Sequence, residues 1–153
     1  MKKICLISSS GGHYEQLMML EKLVGNFSIY IITEKTEYTS KETENVNKYY
    51  ISQLNRKEFF FIIKIFKVFF QSLVIFLKEK PDIIISTGAL SVIPTFMIGK
   101  IFKRKLIFIE SFAKVKSPTL TGKFIYKFAD LFLVQWESML KVYPKAIFLG
   151  NIY

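Results

Sequence analysis

The sequence predicts an α/β fold, in which a Rossmann-like parallel sheet has helices on both faces. Short apolar runs alternate with segments of helical pattern along the whole chain, and this order is typical of parallel sheets covered on both faces. The chain has 153 residues, of which 51% are hydrophobic, and this size suits one domain with a substantial core. We therefore expect a single Rossmann-like domain over residues 1–153.

The apolar runs are the predicted strands, and the segments between them are the predicted helices. Strands are expected at residues 4–7, 28–32, 49–51, 82–86, 106–109, 131–134 and 146–149. Helices are expected at residues 13–24, 58–78, 90–102, 120–128 and 137–142. The polar residues 33–47 are expected to form a loop, and Gly88 and Pro144 fall at the ends of elements.

Composition narrows the class of partner. The 22 Lys and Arg against 12 Asp and Glu give a net charge of +10, which favours an anionic partner. Cys5 is the only cysteine, so neither a disulfide nor a cysteine metal cluster is expected. The N-terminus lacks the pattern of a signal peptide, so we expect a cytosolic setting. Nucleic acid is not an expected partner, because the aromatic residues lie in apolar runs rather than at the spacing of stacking platforms.

The predicted helix at about residues 58–78 is unusually apolar. Of the 19 residues 59–77, 15 are apolar, and the four exceptions are Lys64, Lys67, Gln71 and Ser72. At about 100° per residue, one narrow arc holds Lys57, Lys64, Lys67, Gln71 and Lys78, which leaves an apolar surface wider than one sheet face can cover. A membrane-spanning helix would bury two lysines, at up to roughly 2.5–3.5 kcal/mol each, and would separate strands of one sheet.

We therefore expect a membrane-interfacial helix that lies in the plane of the bilayer surface. Its membrane-contacting residues are expected to be Lys64, Lys67, Phe66, Phe69 and Phe70. The alternative is an unusually apolar core helix. A second basic group, Lys100, Lys103, Arg104 and Lys105, ends the following helix. It is either a solvated helix end or a further contact with anionic headgroups.

Three small or polar segments follow predicted strands. They are residues 8–13 (SSSGGH), 86–89 (STGA) and 110–113 (ESFA), and the loop 114–119 follows the third. The carboxyl ends of parallel strands meet at one edge, where open sheets bind ligands. The candidate acceptor- or phosphate-binding residues are Ser10, Gly11, Gly12, Thr87, Gly88, Ser111, Lys114, Lys116 and Ser117.

The glycine turn before the first helix predicts an anion site. Small residues leave backbone N–H groups uncovered, and the helix N-terminus adds a partial positive charge. His13 would point into this site, although an ordinary turn with a solvated histidine is the alternative. The turn is not a GxGxxG motif, so no dinucleotide site is expected. Glu110 is either a solvated loop acid or a site carboxylate, and loop 114–119 is either a diphosphate site or a flexible polar loop.

These segments resemble bacterial relatives of the membrane-associated acceptor subunit of the two-part N-acetylglucosaminyltransferase of dolichol-linked oligosaccharide assembly. Those relatives serve capsular and exopolysaccharide synthesis. The resemblance rests on the Gly-Gly-His turn, on residues 86–89 with Pro94, on residues 110–118 (ESFAKVKSP) and on residues 134–137 (VQWE). The arrangement is also similar to the N-terminal half of the transferase that forms peptidoglycan lipid II.

The resemblance implies a GT-B glycosyltransferase split across two chains, with this chain as the acceptor half. It would bind a polyprenyl-diphosphate-linked saccharide at the cytoplasmic face of the cell membrane, as a peripheral or monotopic protein. A separate UDP-sugar-binding subunit would supply a hexose. The resemblance makes His13 the first candidate for general base or acceptor-phosphate contact and Glu110 the second, with no metal and no cofactor.

Two further expectations concern the partner. The chain is expected to be inactive alone, because the GT-B active site implied by the resemblance lies between two Rossmann-like domains and one domain cannot supply both walls. It is expected to dock its partner through its C-terminal end, including residues 148–153, because five of its last seven side chains are apolar. The alternative is that these residues pack on their own domain. A different function also stays open, in which the chain is a catalytically silent membrane recruiter and activator of a separate glycosyltransferase subunit.

Overall fold

The computed structural model describes residues 1–21, 27–37, 39 and 46–152. In this part of the chain, seven strands form one sheet in the order β3-β2-β1-β4-β5-β6-β7, and all neighbouring strands are parallel. The strands are β1 (Lys3–Ser8), β2 (Ser28–Glu34), β3 (Asn47–Ile51), β4 (Ile83–Gly88), β5 (Lys105–Ile109), β6 (Leu131–Val134) and β7 (Ile147–Phe148). The predicted Rossmann-like parallel sheet is confirmed, and its strand order reverses between β1 and β4.

Four α-helices and two 3₁₀ turns connect the described strands. The helices are α1 (Gly12–Glu21), α2 (Phe61–Glu79), α3 (Ile93–Ile101) and α4 (Leu120–Ile125), and the 3₁₀ turns are Leu90–Val92 and Glu137–Lys141. The predicted helix at 137–142 is thus a 3₁₀ turn, and the helix predicted at 120–128 ends three residues early. Predicted helical residues 22–24 lie outside the described residues, as do 38 and 40–45 of the predicted loop.

Two predicted helices begin later than expected for local reasons. Residues before α2 form turns instead, because the Asn55 side chain accepts the Lys57 amide and the Asn55 carbonyl accepts the Glu58 amide. The segment at 90–102 opens as a 3₁₀ turn, and the α-helix starts where Pro94 occupies its first turn. Proline suits that position because an N–H group in the first turn has no partner within the helix, so no helical hydrogen bond is lost.

Both faces of the sheet are buried, as a parallel sheet requires. Helix α1 packs its Leu17 against the sheet face that carries Leu6. Helices α2 and α3 cover the opposite face with Val68 and Phe96. A Cβ atom at Gly99 would lie 2.6 Å from the Ile84 side chain, so glycine lets α3 approach the sheet closely. Helix α1 therefore lies on one face of the sheet, and α2 and α3 lie on the other.

Helix α2 buries only a narrow stripe of its surface. A buried hydrogen bond from Thr95 to Ser72, 2.9 Å between the hydroxyl oxygens, joins it to α3. Its exposed apolar residues are Ile62, Ile63, Phe66, Phe70, Val74 and Leu77. The prediction that the apolar surface exceeds what the sheet covers is confirmed, and the alternative of a core helix does not fit this exposure. Among the described residues, no helix has both the length and the apolar content needed to cross a bilayer.

Candidate functional site

The segments after β1 and β4 meet at the carboxyl edge of the sheet. The His13 ring donates from Nδ1 to the Thr87 carbonyl oxygen at 2.8 Å, and the Thr87 hydroxyl donates to the His13 carbonyl oxygen at 2.6 Å. The two residues lie at the point where the strand order reverses, which is where open α/β sheets bind ligands. The sequence prediction that these two segments converge is confirmed.

The contact with Thr87 fixes the tautomer of His13. A carbonyl oxygen only accepts hydrogen bonds, so Nδ1 carries the proton in this contact. In the neutral ring, Nε2 then holds a lone pair. His13 is half-buried, so the ring is anchored on one side and still reaches the edge of the site. The arrangement suits a group that accepts a proton from a bound hydroxyl.

Glycine is required where the His13 ring packs. Gly88 has φ 115°, a conformation that side chains disfavour, and a Cβ atom there would lie 3.1 Å from Cε1 of His13. Gly11 has φ 75° and its carbonyl accepts the amides of Tyr14 and Glu15, which begins α1. A Cβ atom at Gly11 or Gly12 would meet open space, so the backbone of this turn is accessible. The start of a helix is a typical anion site, because its first N–H groups lie ahead of the regular helical bonds and its dipole favours negative charge.

A buried carboxylate that the sequence analysis missed supports the same turn. Ser10 donates to Oε2 of Glu34 at 3.4 Å, and the Leu54 amide donates to Oε1 of Glu34 at 3.5 Å. Glu34 is buried at the end of β2, which runs two residues beyond the predicted strand. An acidic residue at the carboxyl end of a strand was the signal that identified Glu110, and it also applies to Glu34.

Glu110 lies inside the fold and is not a solvated loop acid. Its side chain is 1% exposed, and its carboxylate accepts four hydrogen bonds. The donors are the Ser111 amide (2.9 Å), the Thr119 amide (3.2 Å), the Thr119 hydroxyl (2.9 Å) and the Tyr143 hydroxyl (2.6 Å). Burial and the Glu110 carboxylate raise the pKa of Tyr143 well above its usual range. To act as a base, Glu110 would have to give up at least one of these bonds.

The loop after β5 is held at both ends. A Cβ atom at Gly122 would lie 2.1 Å from Oε2 of Glu110, so glycine admits the carboxylate to the start of α4. Trp136 donates from its ring N–H to the Phe112 carbonyl at 2.7 Å, and Ser138 donates to the Val115 carbonyl. Ser111 is buried at the base of this loop, Lys114 is half-buried, and Lys116 and Ser117 are exposed.

Gln135 connects this loop to α1. Its amide nitrogen donates to the Glu110 carbonyl at 2.9 Å and to the Gln16 side chain at 3.1 Å, and its side-chain oxygen accepts the Ile152 amide at 3.1 Å. The segments after β1 and β4 therefore contact each other directly. The segment after β5 is linked to α1 through the Gln135 side chain. The sequence analysis found Gln135 and Trp136 only through the resemblance, because nothing in their local pattern indicates these contacts.

The predicted membrane residues lie on α2 and differ in their surroundings. Phe66 and Phe70 are exposed, whereas Phe69 is half-buried against the core. Lys64 forms an ion pair with Glu58, and Lys67 is exposed. Exposed apolar residues continue onto α3 and α4, where they include Met97, Ile101, Leu120 and Phe124. The apolar surface is therefore larger than the sequence analysis predicted.

The model of one protein family, described as oligosaccharide biosynthesis protein Alg14 like, matches residues 4–152. The chain belongs to this family. It is 25% identical to the UDP-N-acetylglucosamine transferase subunit ALG14 of Mus musculus, over 98% of this chain and 82% of that protein. It is 23% identical to the protein of the same name from Homo sapiens, over 97% of this chain and 82% of that one.

Solved structures show the same fold as this Alg14-like chain. MurG of Acinetobacter baumannii matches with a TM-score of 0.80 and 14% identity, over 99% of this chain and 46% of MurG. S. aureus MnaA, solved with UDP, matches with a TM-score of 0.75 and 14% identity, over 99% of this chain and 44% of MnaA. The chain spans about half the length of these proteins. Its sheet and helices are those of the N-terminal half of a GT-B glycosyltransferase, as the sequence predicts.

Proposed function

We propose that this chain is the acceptor-binding, membrane-associated subunit of a two-chain glycosyltransferase. The enzyme transfers a hexose from a UDP-sugar to a polyprenyl-diphosphate-linked saccharide at the cytoplasmic face of the cell membrane, in capsular or exopolysaccharide synthesis. The observation that carries the proposal is the His13 ring, anchored by the Thr87 carbonyl at the strand-order reversal of a GT-B half. The proposal is also supported by its relatives from Mus musculus and Homo sapiens, which are named as UDP-N-acetylglucosamine transferase subunits.

His13 is the proposed general base. As the acceptor hydroxyl attacks the anomeric carbon, its proton passes to Nε2 of His13. The new C–O bond forms while the bond to UDP breaks, UDP leaves with the electron pair, and the configuration inverts. The Thr87 carbonyl holds the Nδ1 proton throughout, so it orients the ring and stabilises the imidazolium that forms.

The acceptor diphosphate is proposed to lie between the glycine turn and the loop after β5. Ser10, Gly11 and Gly12 offer open backbone at the start of α1, where anions are stabilised. Lys114 and Lys116 offer cations from the loop, with Ser111 and Ser117 as hydroxyl donors. Glu110 is assigned a positioning role, because its four hydrogen bonds hold the ends of that loop.

The second wall of the cleft is proposed to come from a separate UDP-sugar-binding subunit. Ile147, Phe148 and Leu149 are exposed at β7, which lies at the edge of the sheet. Ile152 instead donates its amide to Gln135 of its own domain, and Tyr153 lies outside the described residues. The docking surface is therefore assigned to residues 147–149, which overlap the segment 148–153 expected from the sequence at Phe148 and Leu149.

Membrane association is proposed to depend on α2. Its exposed apolar residues would enter the headgroup region, while Lys67 and the basic residues 100 and 103–105 would meet anionic lipid. This surface is continuous with exposed apolar residues of α3 and α4, which supports a peripheral or monotopic attachment.

The second candidate function is a silent recruiter and activator of a separate transferase. It is favoured by Glu110, whose carboxylate already accepts four hydrogen bonds within the fold and is therefore not free to act as a base. Of the two candidate bases, only His13 then stays available. Reconstitution separates the two functions. The chain and its UDP-sugar-binding partner are assayed separately and together with a polyprenyl-diphosphate saccharide in anionic vesicles. We expect transfer only by the pair. If the partner alone transferred the hexose to a soluble acceptor at the rate of the pair, that result would favour the recruiter.

A further inference from the structure

An apolar groove lies between α2 and the start of α3. Its volume is ≈ 390 Å³, within the range of about 300–1,000 Å³ typical of small-molecule sites. Helix α2 supplies one wall with Ile65, Phe66, Phe69 and Phe70, and Leu90 and Pro94 line the other. All of the residues that line it are apolar. The groove therefore suits a hydrocarbon and offers nothing to a charged or sugar-like group.

The groove opens beside the candidate site. Leu90 follows Gly88 by two residues, and Gly88 is where the His13 ring packs. On the other side, Leu54 lines the groove, and its amide donates to Glu34, the carboxylate that also contacts Ser10. Two separate links thus place one end of the groove at the edge of the sheet that holds the glycine turn.

We propose that this groove binds the isoprenoid part of the lipid-linked acceptor. The bound part is the stretch of hydrocarbon that is attached to the diphosphate. This inference rests on the proposed function and adds the lipid part of the substrate to it. A diphosphate bound at the glycine turn carries its hydrocarbon chain by a covalent bond, so the first part of that chain must lie within reach of the turn. The links through Leu54 and Leu90 place one end of the groove towards this position, and the exposed Phe66 and Phe70 join its rim to the apolar surface of α2.

The rim of the groove explains how the rest of the chain would reach the bilayer. Phe66 and Phe70 line the groove and are also 60% and 62% exposed, so they belong to both the groove and the apolar surface. A chain that leaves the groove between them enters the surface that is proposed to contact lipid. The acceptor would therefore stay partly in the membrane while its diphosphate lies at the site.

The test measures binding of farnesol, an isoprenoid without a diphosphate, to the full chain in solution. The groove variant is Phe66→Ser with Phe70→Ser. The matched control is Ile63→Ser with Val74→Ser, which removes side chains that are 64% and 66% exposed on the same helix and do not line the groove. We expect the groove variant to bind farnesol at least about tenfold more weakly and the control to bind it as the wild type does. Equal weakening by both pairs, or no weakening by either, would overturn the proposal.

Two further probes distinguish an isoprenoid from a bilayer acyl chain, and failure of the groove proposal from failure of the proposed function. A straight-chain alcohol of the same main-chain length stands in for a bilayer acyl chain, and we expect it to bind more weakly than farnesol. Equal affinity for the two alcohols would assign the groove to bilayer lipid and overturn the isoprenoid. Inorganic diphosphate reports the phosphate site, which the groove variant leaves intact. Farnesol binding that depends on the groove, without any glycosyl transfer by the reconstituted pair, would contradict the proposed function and not the groove.

Discussion

His13 and Thr87 are 74 residues apart in the sequence and exchange two hydrogen bonds at the carboxyl edge of the sheet. One bond fixes the ring through Nδ1, and the other ties the backbone at the start of α1 to the end of β4. Because the ring bond uses the main-chain carbonyl of Thr87, the position of the ring depends on the fold of the two segments more than on the Thr87 side chain. The position of the candidate base is thus set by the sheet itself.

The role of Glu110 is tested by Glu110→Gln and Tyr143→Phe. An amide has one acceptor oxygen, and its NH₂ group would face groups that donate, so Glu110→Gln leaves buried donors unsatisfied. We expect each variant to lose about 1–3 kcal/mol of unfolding free energy, measured by urea denaturation. Full stability of Glu110→Gln together with a selective loss of glycosyl transfer would show that Glu110 is catalytic and not a positioning residue.

Electrostatic binding to membranes is expected to depend more on Lys67 than on Lys64, since Lys64 is paired with Glu58. A lysine near an anionic surface contributes about 1 kcal/mol, so Lys67→Gln should reduce binding to anionic vesicles roughly fivefold. Co-sedimentation with vesicles measures this change. Lys141→Gln, in the 3₁₀ turn Glu137–Lys141, removes the same charge outside α2, α3 and α4 and serves as the control. Unchanged binding of the triple variant Lys57→Gln, Lys64→Gln, Lys67→Gln would exclude the electrostatic part of the membrane proposal.

Lys114 and Lys116 are expected to contact the acceptor diphosphate. Loss of one cation removes an interaction of about 1.5–3 kcal/mol, or roughly one to two decades of acceptor affinity. Calorimetric titration of Lys114→Ala and Lys116→Ala with the acceptor measures this loss, and binding of the UDP-sugar to the pair should not change. Wild-type acceptor affinity in both variants would place the diphosphate at the glycine turn alone.

Docking of the second subunit is tested at Leu149, which is 79% exposed. Because the side chain is mostly in solvent, Leu149→Ser should leave the melting temperature of the isolated chain within about one degree, as surface changes usually do. Burial of such a side chain in an interface contributes about 1.5–3 kcal/mol, so co-purification with the partner should fall sharply. Retention of the complex at wild-type affinity would move the interface away from β7.

The fold was predictable because apolar runs mark every strand, whereas the site was predictable only in part. Thr33 and Glu34 are polar, so the apolar pattern ended the second predicted strand two residues early and hid the Glu34 carboxylate. A single sequence also gives no sign that the Tyr143 hydroxyl, 33 residues away, completes the surroundings of Glu110. Long-range hydrogen bonds of this kind follow from the tertiary packing, which brings Tyr143, just after the 3₁₀ turn Glu137–Lys141, to the end of β5, and not from local pattern.

His13→Ala tests most directly whether this chain supplies the base for glycosyl transfer. The measurement is the rate of transfer by the reconstituted pair on anionic vesicles, with complex formation and vesicle binding determined on the same samples. A general base contributes about 10²–10⁴-fold to the rate, so we expect a loss of that size while the complex and its vesicle binding stay intact. Transfer at the wild-type rate by His13→Ala would contradict the account and assign the chemistry to the partner subunit.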